Sequence, residues 1–209
     1  CIADATGHGV PAALITSAAQ SAFTVINSNH GLQLEERMAM LNQALFQNAK
    51  GRVNMTMTLA ELDCRTLALN YVSASHEPVF FLRKKEAAVG LNRNDVQWLS
   101  DPGGSRLGEN PQSSYMRATV HLEKGDVLFF YTDGIMDLTN PDGRALQERG
   151  FIKALLERFN QAGEFRDFAR GFYSFLREYR KGSELKDDVT AFAVQILGSS
   201  DSGEMESAA

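Results

Sequence analysis

The chain has 209 residues, 44% of them hydrophobic, enough for one domain with a full core and too few for two of ordinary size. Its net charge is −5, from 26 acidic and 21 basic residues, and its longest basic run is Arg83-Lys84-Lys85. It therefore lacks the basic footprint that phosphate-backbone binding needs, and no nucleic-acid partner is expected.

Two cysteines, Cys1 and Cys64, show neither CxxC spacing nor the density of a secreted disulfide scaffold, so a reducing, cytoplasmic compartment is expected. No apolar run approaches the roughly 18 residues of a membrane span, and no signal peptide opens the chain, so no membrane contact by this domain is expected. The first residue is Cys1 and the chain starts inside a strand-like run toward Asp4. That start suggests a piece of a longer polypeptide, with a sensor domain expected upstream.

After Gly7-His8-Gly9, Pro11 stands where a helix tolerates it best, ahead of a helix over 12–26 whose apolar face is Leu14, Ile15, Ala18, Ala22, Val25 and Ile26. A second helix fits 34–49, with Met38, Leu41, Leu45 and Phe46 as its buried stripe and Glu35, Glu36 and Arg37 at a wet start. The two are expected side by side on a sheet. From Met55 the period changes to two, giving a hairpin that turns at Cys64-Arg65-Thr66 and runs on to Ser73.

Val79-Phe80-Phe81-Leu82 follows the Pro78 break, and an antiparallel meander continues through strands over 96–99, 115–122 and 127–131. Gly90, Gly103-Gly104 and Gly125-Asp126 punctuate it. Helices are predicted over 151–160 and 165–179, the second with Phe168, Phe172, Phe175, Leu176 and Tyr179 on one face, then a strand over 189–197. Residues 198–209, rich in Ser, Gly and Glu, are expected to be a disordered tail.

Three acidic turns stand beside apolar runs: Asp4-Ala5-Thr6-Gly7-His8-Gly9, Tyr131-Thr132-Asp133-Gly134, and Lys186-Asp187-Asp188-Val189. Carboxylates at strand ends, gathered from distant parts of a sheet, make the oxygen-rich site that hard cations such as Mg²⁺ or Mn²⁺ require, which points to metal-assisted hydrolysis. Gly134 is expected to permit a sharp turn that aims Asp133 outward. Asp187 and Asp188 are adjacent, so in an extended conformation only one can enter a shared site. Each turn alone is an ordinary loop signal, and the conjunction of three is what carries weight. His76 is expected to serve a turn by bonding backbone.

The ordered set Asp4-x-x-Gly7-His8-Gly9 with Pro11-Ala12-Ala13-Leu14, then Gly125-Asp126 leading to Tyr131-Thr132-Asp133-Gly134-Ile135, then Asp187-Asp188-Val189-Thr190, resembles the bacterial SpoIIE/RsbU-type serine phosphatases of the PP2C-like (PPM) superfamily. Ser73-Ala74-Ser75-His76-Glu77-Pro78 is similar to that family's Asn-Ala-Gly-His-x-Pro turn, and Arg106-Leu107-Gly108 to its Pro-Leu-Gly. The resemblance implies an α+β fold, a four-layer α/β/β/α sandwich of two antiparallel sheets, over residues 1–197. It also implies two Mn²⁺ or Mg²⁺ ions, with Asp4 bridging them, the Ala5 backbone carbonyl as a further ligand, and Asp133 and Asp187 completing one ion. Gly7, Gly134 and Asp188 would support the site. A metal-held water would attack phosphoserine or phosphothreonine, and His8 could protonate the departing serine oxygen.

The family's first strand carries a further acidic motif, and nothing before Cys1 is present, so the fold is expected to be truncated at its N-terminus. The expectation is a sheet edge open to a partner chain, a homodimer included, a poorly held second ion, and weak or absent activity of the piece alone. Ser73 and Ser75 in place of the usual Asn and Gly put the geometry of that turn in question. The leading function is a protein serine/threonine phosphatase acting on a phosphorylated regulatory protein of the anti-sigma-factor-antagonist type. A partner-binding pseudophosphatase and a small-molecule metallohydrolase are the alternatives.

Overall fold

The structure, a computed structural model, describes residues 1–83, 90–99 and 104–199. Lys84-Lys85, Gly103 and the tail from 200 onward lie outside those residues. The described residues form two compact units: 1–77 with 104–123 and 198–199, and 78–83 with 90–99 and 124–197.

The first unit holds strand β1 (Ile2–Ala5), helices α1 (Val10–Asn27) and α2 (Leu34–Ala49), and strands β2 (Met55–Asp63) and β3 (Ala68–Ala74). After the second unit's first two strands, β4 (Val79–Leu82) and β5 (Val96–Leu99), the chain returns to it with β6 (Ala118–His121). Its sheet is antiparallel in the order β1-β2-β3-β6, with Asp4 opposite Thr56 and Met57 opposite Ala74. Pro11 lies in the first turn of α1, one residue after its start at Val10, where its missing N–H would have no helical partner.

The core of this unit joins Met38, Leu41 and Leu45 of α2 to Met57, Leu59 and Val72 of the sheet. α1 contributes Ile15, Ala19 and Ile26. Leu14 and Val25, assigned to the buried face by the apolar spacing, are 67% and 71% exposed. The apolar residues of α1 spread over more than one face, and of the predicted face the helix buries Ile15 and Ile26. Arg37 is likewise not at a wet start: it is buried, its Nε donating to the Leu32 carbonyl at 3.0 Å and its Nη1 to Asn27 Oδ1 at 3.0 Å.

The second unit adds β7 (Val127–Tyr131), α3 (Gly134–Asp137), α4 (Gln147–Gln161), α5 (Phe165–Arg180) and β8 (Ala191–Gln195) to β4 and β5. Its antiparallel order is β5-β4-β7-β8, so the expected meander stops after β3 and β4 opens a second sheet. β4 and β7 are buried along their whole lengths, as central strands with apolar runs should be. The rings of Phe80, Tyr131 and Phe151 have centres 4.7 to 5.3 Å apart, Phe80 stacked on Phe151 and Tyr131 edge-on to Phe151, and Phe129 meets Phe172 edge-on at 5.2 Å. Such ring pairs each contribute about 0.5–1.5 kcal/mol beyond their buried area.

The α+β class with two antiparallel sheets is as expected. The strand predicted over 115–122 shrinks to β6, and the one over 189–197 to β8. Among the described residues no helix is long and apolar enough to cross a membrane.

Candidate active site

β7 delivers Asp133. Its apolar run ends at Tyr131, Thr132 is buried, and Asp133 emerges with an exposed side chain that makes no hydrogen bond or ion pair with any described residue. Asp133 is in right-handed helical conformation and leads into α3. Gly134 adopts no positive φ, so turn geometry is not what requires glycine there. Space is: a Cβ on Gly134 would overlap the Asp188 carbonyl oxygen and lie 3.0 Å from the Asp188 carbonyl carbon and 3.5 Å from Asp187 Cβ. Two of the three acidic turns therefore touch, backbone against backbone, through a glycine.

Hydrogen bonds fix that contact. Thr132 N donates to the Thr190 carbonyl at 3.0 Å, and Thr132 Oγ1 donates to the Asp188 carbonyl at 3.1 Å and accepts from Thr190 N at 3.0 Å. Asp187 and Asp188 are both exposed and lie on a bend before β8, not in an extended strand. Asp187 Oδ1 accepts from the Asp188 amide at 2.8 Å, and its other carboxylate oxygen makes no hydrogen bond with a described residue.

Asp4 and Ala5 belong to the first unit, at the end of edge strand β1. The strand is tied down beyond Asp4 by Thr6, whose N donates to the Asn54 carbonyl at 2.8 Å and whose Oγ1 accepts from Asn54 N at 3.0 Å. His8 is exposed between Gly7 and Gly9 and makes no hydrogen bond with a described residue. Gly9, with φ 77° and ψ −150°, occupies backbone space open in practice only to glycine and starts α1 directly after the turn. Among the described residues no three His, Cys, Asp or Glu side chains converge into a metal cluster.

A family model described as stage II sporulation protein E (SpoIIE) matches residues 1–197. The chain belongs to the SpoIIE family. It is 26% identical over 194 residues to the phosphoserine phosphatase RsbU of Bacillus subtilis, covering 93% of this chain and 54% of RsbU, so it spans about half the length of that relative. Among solved structures, the SiaA-PP2C domain of Pseudomonas aeruginosa matches with TM-score 0.72 and 24% identity over 92% of this chain and 72% of that one. RsbX in complex with magnesium matches with TM-score 0.59 and 17% identity over 91% and 77%. These likenesses show the PP2C-like fold.

Other SpoIIE-type landmarks in the sequence are scaffold. Leu107 is fully buried and exchanges backbone hydrogen bonds with Met55 at 3.0 and 2.8 Å, while Gly108 N donates to Asn42 Oδ1 at 2.8 Å. Asn42, which lies outside the stripe of Met38, Leu41, Leu45 and Phe46, is fully buried and also donates to the Asn110 carbonyl at 2.8 Å. His76 is buried with Nδ1 2.9 Å from Thr56 Oγ1, and its backbone N donates to Ser73 Oγ at 3.3 Å. Ser75, where the SpoIIE pattern has Gly, sits at φ 55°, so a serine bears a left-handed backbone.

Asp126 is buried and takes both Arg83 Nε and Nη2, the latter at 2.7 Å. Its place in the Gly-Asp landmark is thus structural. The pairing partner lies 43 positions away, and nothing local in the sequence points to it.

Proposed function

We propose that residues 1–197 act as a metal-dependent protein serine/threonine phosphatase that hydrolyses phosphoserine or phosphothreonine on a small regulatory protein of the anti-sigma-factor-antagonist type. SpoIIE-family membership and the likeness to a phosphoserine phosphatase support the reaction. The structural observation that carries it is the Asp133 carboxylate, exposed and without a protein partner among the described residues, on a turn clamped against Asp187-Asp188 through Gly134.

The resemblance to the SpoIIE-type phosphatases implies an all-oxygen donor set, the carboxylates of Asp4, Asp133 and Asp187 and the Ala5 carbonyl, of the kind that suits Mn²⁺ or Mg²⁺. The magnesium complex of the structurally similar RsbX supports that choice. Bound there, the ions would lower the pKa of a water and offset phosphoryl charge. The chain's own part is positional. Thr132 and Gly134 set the Asp187-Asp188 backbone, Asp133 offers a carboxylate with no protein partner among the described residues, and Gly7 and Gly9 leave His8 clear to give a proton to the departing seryl oxygen.

The test is hydrolysis of p-nitrophenyl phosphate with Mn²⁺ and with Mg²⁺, followed by a phosphoserine protein and a panel of metabolite phosphates. Loss of turnover in Asp133→Asn, with activity on phosphoprotein and not on metabolites, is the expected result. Metal-independent turnover, or turnover unchanged in Asp133→Asn, overturns it.

A further inference from the structure

The second unit contains a cavity of about 390 Å³ beneath α5, whose lining does not include Asp133. Its origin lies in strand composition. Where β7 turns Phe129 and Tyr131 toward the helices, their cross-strand partners on β8 are Ala193 and Ala191. Two alanines under an amphipathic helix leave a hollow that larger residues would fill. Phe168, Phe172 and Leu176 of α5 wall it, and Tyr173, 63% exposed, stands at its mouth.

Two cations also line it: Arg177 and Arg180, in the last turn of α5. Neither forms an ion pair with a described residue, and the Arg177 guanidinium rests 5.9 Å from the Tyr173 ring centre. A volume at the lower end of ligand sites, aromatic walls and two unneutralised guanidinium forks on one side define a narrow ligand class. An apolar ring system fills the hollow, and a single carboxylate meets the guanidinium forks.

We infer that this cavity is a binding site for a small aromatic carboxylate. Leu185 and Val189 close it on the side of the Asp187-Asp188 bend, so the bound ring would lie against the segment that carries those acids.

The probe is 1-naphthaleneacetate, titrated into the ¹⁵N-labelled protein and by calorimetry, with 1-naphthaleneethanol as its neutral counterpart. The expected Kd is on the order of 0.1 mM, as for a fragment of this size, with the alcohol about tenfold weaker. Amide shifts are expected to centre on residues 172–180, 185–189 and 191–193. Arg177→Gln with Arg180→Gln changes rim side chains only, and should cost about tenfold for the carboxylate and little for the alcohol. Ala193→Leu should abolish binding of both, provided its melting temperature matches the parent.

No saturable binding at millimolar probe overturns the site. So does binding that the double arginine variant leaves unchanged, or shifts centred elsewhere. None of these readouts depends on phosphatase turnover, so the outcome is separable from that of the phosphatase test.

Discussion

The Thr132 hydroxyl donates to the Asp188 carbonyl across the end of the second sheet, at 3.1 Å. Because it also accepts from Thr190 N, one hydroxyl serves both sides of the acidic bend. Thr132→Val keeps the shape and removes both bonds, taking from the Asp188 carbonyl and the Thr190 amide the partner that Thr132, itself 3% exposed, gives them. The expected loss is about 1–3 kcal/mol by urea unfolding, with Thr132→Ser close to the parent. Equal stability of Val and parent would show that the hydroxyl does not hold the bend.

Gly134→Ala adds the one atom for which there is no room. The Asp188 backbone would have to move, and overpacking of that kind costs about 1–3 kcal/mol. If the bend carries a metal ligand, Mn²⁺-dependent turnover should fall more steeply in Gly134→Ala than in a destabilised control far from the bend. Thermal melts with and without Mn²⁺ and steady-state rates check both halves.

Ser75→Gly should stabilise the protein. A left-handed backbone costs an ordinary residue roughly 1–2 kcal/mol, and part of that is returned by the Ser75 Oγ bond to the Gly104 carbonyl at 2.7 Å. The net expected gain is about 0.5–1 kcal/mol in urea midpoint measurements. A loss would mean that the hydroxyl bond outweighs the backbone strain.

Arg83→Leu leaves Asp126 without its bidentate partner. Asp126 is 2% exposed but the Arg83 side chain is 30% exposed, so the expected cost is about 2–3 kcal/mol, below that of a fully buried pair. Arg83→Lys should recover less than half, because an ammonium cannot present two parallel donors. Denaturant unfolding of the three proteins decides it.

Burial pushes the Tyr115 hydroxyl up to about 12 from an ordinary 10.0. An acid whose pKa is raised by folding stabilises the fold while it stays protonated. Its contribution is therefore complete below about pH 10 and is lost as pH rises through 12. Stability should fall across that window in the parent and fall less in Tyr115→Phe, measured by melting temperature against pH. Parallel curves would contradict it.

Much of the fold is legible because local pattern and tertiary demand agree. α2 begins at Leu34 and ends at Ala49 as its period requires, and β4, β5 and β7 have the bounds their apolar runs set. The pattern fails where one helix offers two apolar faces, as at Leu14 and Val25, and where a charge is buried by distant partners, as at Arg37. At the candidate site each acidic turn is visible on its own. That the second touches the third is not, because the contact depends on a missing Cβ and on backbone atoms 54 positions apart, and no side-chain pattern records either.

The division of the chain into interleaved segments bears on how the protein is made. β1, α1, α2, β2 and β3 leave the ribosome before β4 and β5, and those two follow before β6 completes the first sheet. Val79-Phe80-Phe81-Leu82 then emerges long before β7 and β8, the strands that fill out its sheet. A fully apolar strand waiting with one edge unpaired is a point of vulnerability during synthesis. Pauses or truncations between 99 and 127 should therefore favour aggregation, and early chaperone contact should fall on this strand rather than on the exposed acidic turns.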